Sequence, residues 1–286
     1  MGRTFVNVKS IPLREYQLYQ LNILKEFVRI CEKNSFTYWG AWGTLLGCAR
    51  HKGFIPWDDD IDVWMPAKDY LAFREACKKD LSDSFYIQSH ALNPCNFIIW
   101  QRIGLKNSMS MPVDYSDVHA EWGVCMDIFP LLDWSGKKEE KEALDRDILS
   151  LKRTAWRYEY LHEAKSESGV KRILTRMKAW GSDSASAKRF AKKERQLLCG
   201  RSREENNLYS DLFDFNLDRS WFRETKHLEF EGMKLAVPGE YEKVLDEIYG
   251  NDWAEIPPEE KRVCHSGGGS DKVLVSLNES YVSYLK

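Results

Sequence analysis

The stretch Trp57-Asp58-Asp59-Asp60-Ile61-Asp62-Val63-Trp64-Met65-Pro66 decides how this chain is read. It sets four carboxylates within five residues. Like charges this close disfavour one another's ionised forms unless positive charge stands between them, and a divalent cation is the simplest compensation. Ile61, Val63 and Met65 alternate with Asp60, Asp62 and Trp64, which predicts a strand. On a strand, Asp60 and Asp62 share one face. Two carboxylates on one face make half of a magnesium site, because Mg²⁺ takes oxygen ligands and commonly joins one or two carboxylates to substrate phosphates. A solvated acidic turn ahead of the next helix is the plainer reading of an isolated acidic run. An EF-hand does not fit: Val63 stands where the turn glycine belongs, and Asp69 where the bidentate Glu belongs.

The flanking sequence strengthens the catalytic reading. Upstream, Gly43-Thr44-Leu45-Leu46-Gly47-Cys48-Ala49-Arg50 is rich in small residues and suits a short, closely packed helix. A helix opening at Gly43-Thr44 would offer free N–H groups and a positive dipole end to a phosphate. Arg50, His51 and Lys52 follow, with Arg50 and Lys52 as candidate phosphate ligands and His51 a structural residue. Downstream, Asp127 is embedded in the apolar run Val124-Cys125-Met126-Asp127-Ile128-Phe129. A charge in a buried strand needs a partner, and sharing a metal with Asp60 and Asp62 would supply one. Arg102, flanked by Ile99, Trp100, Ile103 and Leu105, is expected either at the donor phosphates or on the exposed face of its strand.

Farther out, Leu13, Tyr16, Leu21, Leu24, Phe27, Val28 and Cys31 recur at helical spacing. Strands are expected at Phe36–Trp39, Phe85–Ser89, Phe97–Leu105, Val124–Leu131 and Met233–Val237. Helices are expected after Pro66, from Glu139, around Val170–Met177, over Ala187–Leu198 and after Pro238-Gly239. Strands dominate the middle of the first half and helices the second, so the fold class is α+β with a largely helical C-terminal half. The expected organisation is a catalytic core over 1–135, a helical acceptor-binding region over 136–220, and a segment over 221–286 that packs back on the core. The 42 basic and 44 acidic residues leave a net charge of −2, which argues against nucleic-acid binding through a general positive field. No apolar run approaches the ~18 residues of a membrane span. Seven cysteines in odd number and irregular spacing argue against a disulfide framework or a structural zinc site, and favour reduced thiols in the cytoplasm.

Taken together, Gly43-Thr44-Leu45-Leu46-Gly47 through Arg50-His51-Lys52-Gly53-Phe54-Ile55-Pro56-Trp57-Asp58-Asp59-Asp60-Ile61-Asp62-Val63 resembles the signature of the LicD family. Asp69-Tyr70, Phe73, Asp127-Ile128-Phe129-Pro130-Leu131, Val237-Pro238, Tyr241, Leu245, Tyr249-Gly250, Trp253, Pro257-Pro258, Arg262 and His265 continue the match. The resemblance implies a nucleotidyltransferase-like mixed sheet flanked by helices. In that pattern a glycine-led helix falls on Gly43-Thr44, a D-x-D pair on Asp60 and Asp62, and a third acid on Asp127. It further implies transfer of a phospho-alcohol, most often phosphocholine, from a CDP-alcohol to a hydroxyl of a cell-surface glycan such as lipopolysaccharide or teichoic acid. Many such glycan acceptors are lipid-linked, so a cytoplasmic protein that can meet the inner face of the membrane is expected. An extra Leu after Pro130 and an extra residue in Gly250-Asn251-Asp252-Trp253 depart from the family pattern and leave acceptor specificity open.

The implied chemistry uses Mg²⁺, or Mn²⁺ in its place, held by Asp60, Asp62 and Asp127. Gly43, Thr44, Arg50, Lys52 and Arg102 would bind the substrate, and Asp127 is the leading candidate base ahead of Asp58 and Asp59. A choline head group would call for aromatic faces or a carboxylate. Trp39, Trp42, Trp57, Trp64, Trp100 and Trp122 all lie near the expected site, and the sequence singles out no cage among them. Two other readings compete: a D-x-D glycosyltransferase using a nucleotide sugar, and an inactive glycan-binding module.

Overall fold

The protein is described by a computed structural model covering residues 11–96, 98–112, 119–155, 169–170, 173, 183–200, 206–213, 215–262 and 273–284. Helix α1 spans Leu13–Asn34 and ends in a left-handed Ser35 whose N–H bonds the Glu32 carbonyl. Strand β1 (Trp39–Gly40), helix α2 (Trp42–His51), strand β2 (Asp62–Pro66) and helix α3 (Ala67–Asp80) follow. Next come β3 (Phe85–Gln88), β4 (Gln101–Leu105), β5 (Met109–Pro112) and the ten-residue β6 (Cys125–Trp134). Helices α4 (Lys138–Ala155) and α5 (Asp183–Cys199) lead to β7 (Leu208–Ser210), β8 (Asn216–Asp218), β9 (Thr225–Phe230) and β10 (Met233–Pro238). Helix α6 (Tyr241–Tyr249) and β11 (Val273–Ser276) complete the set.

Seven strands form one mixed sheet, with β1-β2-β6-β4-β3 side by side and β7 linking the far half of β6 to β8. Only β2 and β6 run parallel, and every other pairing in this sheet is antiparallel. The β9–β10 hairpin and a two-stranded antiparallel pair of the distant β5 and β11 lie outside it. Strand β2 is buried on both faces: Val63, Trp64 and Met65, and Ile61 just before the strand, are all closed to solvent. The period-two pattern therefore separates acids from apolar residues at its start, but it does not mark a wet face. Phe27 packs on Tyr38 and Phe73, which joins α1, the β1 approach and α3.

The α+β expectation stands. The strands expected after Phe36 and Phe97 contract to Trp39–Gly40 and Gln101–Leu105, and β6 runs three residues past its expected end. Strands β5, β7, β8, β9 and β11 were not anticipated. Most of the helix expected around Val170–Met177, and the glycines at 267–269, lie outside the described residues. Among the described residues no cysteine is in a disulfide. No described helix is long and apolar enough to cross a membrane.

Candidate active site

The parallel pairing of β2 with β6 sets Asp62 directly beside Asp127, and the antiparallel pairing of β6 with β4 sets Arg102 on the other side of Asp127. One row across three strands thus reads Asp62, Asp127, Arg102. The backbone is fixed from several directions. The Asp127 N–H donates to the Ile61 carbonyl at 2.9 Å, and the Asp62 N–H donates to Thr44 Oγ1 at 2.9 Å. The Ala41 N–H donates to the Asp62 carbonyl at 3.0 Å.

Asp58, Asp59 and Asp60 lie on the turn before β2, and α1 holds that turn. Gln17 Nε2 donates to the carbonyls of Asp58 at 2.8 Å and Ile55 at 3.3 Å. Gln20 Nε2 donates to those of Asp59 at 2.9 Å and Cys125 at 3.2 Å. Both glutamines are buried. Polar residues three apart in the stripe that also carries Leu21, Leu24 and Phe27 are the signal that sequence reasoning passed over. A buried amide must satisfy its donors, and here it does so by organising the acidic turn.

A cleft of about 1060 Å³ opens over this row, with Gly43, Asp58, Asp60, Asp62 and Asp127 among its walls. Its far wall comes from distant segments that carry Phe213, Tyr249, Trp253 and Lys261. A smaller pocket of about 380 Å³ shares Asp60 and Asp127 with the cleft and adds Tyr16, Asp59, Arg102 and Trp122. Asp59 lines this pocket and not the cleft.

The acids are poorly compensated. Burial pushes the Asp58 carboxyl up to about 6, against a hydrogen bond with Asp60 that favours its ionised form. Burial, then repulsion from Asp58, pushes Asp60 up to about 8. Burial and repulsion from Asp60 and Asp127 hold Asp62 well above the usual carboxylate range. These groups await positive charge, and the hard oxygen donor set suits Mg²⁺. Among the described residues, however, no three His, Cys, Asp or Glu side chains converge so as to hold a metal ion. Asp127 is engaged instead by Arg102, whose Nε and Nη2 both donate to its carboxylate, the second at 3.2 Å. Burial opposes the charge on Arg102, but Asp127 beside it keeps the guanidinium firmly protonated.

The pairing corrects one expectation. The direct partner of Asp127 is a guanidinium on the neighbouring strand, and Arg102 lines the smaller pocket rather than an exposed strand face. Gly43 does line the cleft, and a Cβ there would fall 2.5 Å from Asp58 Oδ2, so its lack of a side chain lets that carboxylate approach α2. Thr44 is buried and spends its hydroxyl on the Asp62 amide. Arg50 lines the cleft while its Nη1 donates to the carbonyls of Trp253 and Glu255, both at 2.8 Å, so it braces the far wall. Lys52 is exposed at the left-handed C-terminal cap of α2, absent from the cleft. Arg50, in the last turn of the same helix, does line the cleft, so Lys52 is excluded by its outward position at the cap and not by distance along α2. Arg262, matched in sequence without a physical role, stacks on Trp57 at 5.0 Å and donates to the Pro257 carbonyl at 2.9 Å. His265 lies outside the described residues.

Residues 35–168 match the family model described as LicD/FKTN/FKRP, nucleotidyltransferase domain. The chain is 28% identical over 281 residues to a protein named lipopolysaccharide cholinephosphotransferase LicD from Haemophilus influenzae, covering 90% of this chain and 97% of that one. Shorter similarities of 58 residues, at 43% and 41% identity, link it to uncharacterized proteins of Rickettsia typhi and Rickettsia prowazekii. They cover 20% of this chain and 18% and 21% of theirs. The acid row and α2 fall inside the family-matched segment, whereas Phe213, Tyr249, Trp253 and Lys261 fall outside it.

Proposed function

From a chain that carries a LicD-family nucleotidyltransferase domain, we propose a phosphotransferase that moves phosphocholine from CDP-choline to a hydroxyl of a lipopolysaccharide-type glycan. The observation that carries this reading is the near full-length similarity to a cholinephosphotransferase, coupled to an acid row on the floor of a large cleft. The acceptor oxygen attacks the phosphorus that bears choline. The bond from that phosphorus to the CMP oxygen breaks, CMP leaves, and the acceptor's proton passes to a carboxylate, with Asp127 the assigned base. The three carboxylates expected to share a metal do not converge on one point in this structure, Asp127 being held by Arg102. Asp60 and Asp62 are the acids that would hold Mg²⁺, which when bound would neutralise charge on the transferring group. The protein's own part is positional. Gln17 and Gln20 fix the turn that carries the acids, Arg102 orients Asp127, and Gly43 leaves room beside Asp58. The reading places the chain at the cytoplasmic side of the membrane, where a lipid-linked acceptor would be met.

The test is incubation with CDP-choline, CDP-ethanolamine, CDP-glycerol and CDP-ribitol, with and without Mg²⁺, following CMP. CDP-choline should be preferred and release should require the metal. Release of UDP or GDP from nucleotide sugars, with no CMP from any CDP-alcohol, would select the glycosyltransferase reading instead.

A further inference from the structure

The row of the sheet next to the acids is aromatic. Trp64 pairs with Phe129 exactly as Asp62 pairs with Asp127, two residues farther along the same strands. Trp100, two residues before Arg102, continues the row and packs on Phe129 at 5.2 Å. Side chains two apart on a strand share a face and stand about 6.6 Å from each other. Whatever is held at the acids therefore has an aromatic surface one step away. Trp64 is fully buried and forms the base of this surface. Trp42, next to Gly43, stands against Phe129 at 4.6 Å and an interplanar angle of 80°. Phe213 completes the arrangement at 5.5 Å from Trp42, 5.8 Å from Trp100 and 5.6 Å from Phe129, and it is 48% exposed.

Resting on the phosphocholine reading, we propose that Trp42, Trp100, Phe129 and Phe213 form the subsite for the quaternary ammonium of the transferred group. All four line the cleft that the acids line. Their rings meet at steep angles, from 35° to 80°, so they stand as neighbouring walls and not as a flat stack. Ring faces carry negative potential and attract a cation that cannot donate hydrogen bonds. A trimethylammonium is such a cation, and its two-carbon tether to phosphorus matches the single step between the acid row and the aromatic row. The box already tolerates positive charge on one side, since the Arg102 guanidinium sits 5.5 Å from the Trp100 ring centroid. A neutral polyol head group would find no hydroxyl, amide or carboxylate among these four side chains. Phe213 is the adjustable wall. It sits on a turn in which its own N–H donates to Asp211 Oδ1 at 2.8 Å, and its exposure lets it move over a bound ligand without disturbing the core.

Two measurements test the subsite. The first is binding of phosphocholine and of its uncharged isostere, 3,3-dimethylbutyl phosphate, followed by saturation-transfer NMR and calorimetry on the wild-type chain. Phosphocholine should bind about tenfold or more tightly, with saturation reaching its methyl protons. The second compares Phe213→Ala and Phe213→Tyr in CMP release. Phe213→Ala should raise the KM for CDP-choline about tenfold and leave that for CDP-glycerol unchanged, and Phe213→Tyr should restore it. Equal affinity for the two phosphates, or an equal effect of Phe213→Ala on both donors, overturns the subsite while leaving phosphocholine transfer intact. If no CDP-alcohol yields CMP, the transferase reading fails, and the binding comparison still decides the box. Selective binding of phosphocholine that Phe213→Ala weakens upholds it, and indifference to charge overturns it.

Discussion

At the scale of single residues, the site is a set of carboxylates packed more closely than their burial would favour. Asp58, Asp60 and Asp62 are all pushed upward by burial and by one another. Groups arranged this way weaken the fold in return for a place to hold positive charge. Asp62→Asn keeps the shape and removes one ligand charge. Turnover should fall more than tenfold, corresponding to over ~1.4 kcal/mol of barrier, while the metal-free thermal midpoint stays level or rises. Calorimetry beside a CMP assay checks both, and a variant that loses activity by unfolding would not fit. The acids themselves were legible in the sequence, because the small-residue helix before them and the acid embedded in an apolar run after them argue against a plain acidic turn. Arg102 on Asp127 was not, since the pairing depends on the register of two strands that sequence spacing leaves undetermined. Lys52 shows the reverse error: adjacency in sequence suggested a phosphate ligand, but at the left-handed cap of α2 it is exposed and does not line the cleft that Arg50 lines.

At the scale of elements, α2 is the piece whose packing sets the site, and its two glycines act differently. A Cβ at Gly43 would meet the end of the Asp58 side chain, which can swing aside. A Cβ at Gly47 would fall against the Gly53 carbonyl, which can move only with its backbone. Gly43→Ala should therefore keep its stability within about 1 kcal/mol and lose turnover. Gly47→Ala should lose roughly 1–3 kcal/mol of stability by overpacking. Urea unfolding and CMP release on both variants separate the two effects. Helix α1 contributes through Glu26 as well. Arg29 and the Ser82 amide and hydroxyl hold its carboxyl down at about 2, against some opposition from burial. The folded state then binds fewer protons than the unfolded chain below the ordinary glutamate value. The stability Glu26 supplies is complete above about pH 4.5 and is lost as pH falls toward 2. Glu26→Gln should flatten that part of the stability–pH curve, as measured by denaturant unfolding between pH 2 and 6. Helices α1 and α2 were legible from spacing and small residues, but the use of Gln17 and Gln20 to clasp the acidic turn was not. It requires knowing which carbonyls the fold brings beneath them.

At the scale of the whole molecule, segments far apart in sequence close around the acid row. The floor comes from β2, β6 and Trp100 just before β4, and the far wall from Phe213, Tyr249 and Trp253. The floor was legible because apolar runs with embedded charges mark buried strands. The wall was not, because it is built from turns and a helix end whose placement depends on long-range packing. Helix α5 is tied to α3 by a buried ion pair, Arg74 with Glu194 at 2.7 Å, and both side chains are nearly closed to solvent. Arg74→Met leaves Glu194 without its cation and should cost about 3–5 kcal/mol, read as a lower urea midpoint. A change below 1 kcal/mol would show that α5 is not held in this way. The central claim is that the paired acids of β2 and β6 carry phosphocholine transfer. Its most direct measurement follows radiolabelled choline from CDP-choline into lipopolysaccharide while CMP is counted. Label and CMP should appear one for one in the wild-type chain, and both should disappear in Asp62→Asn. Transfer of label at the wild-type rate by Asp62→Asn, or CMP released while no label enters any glycan, would contradict the account.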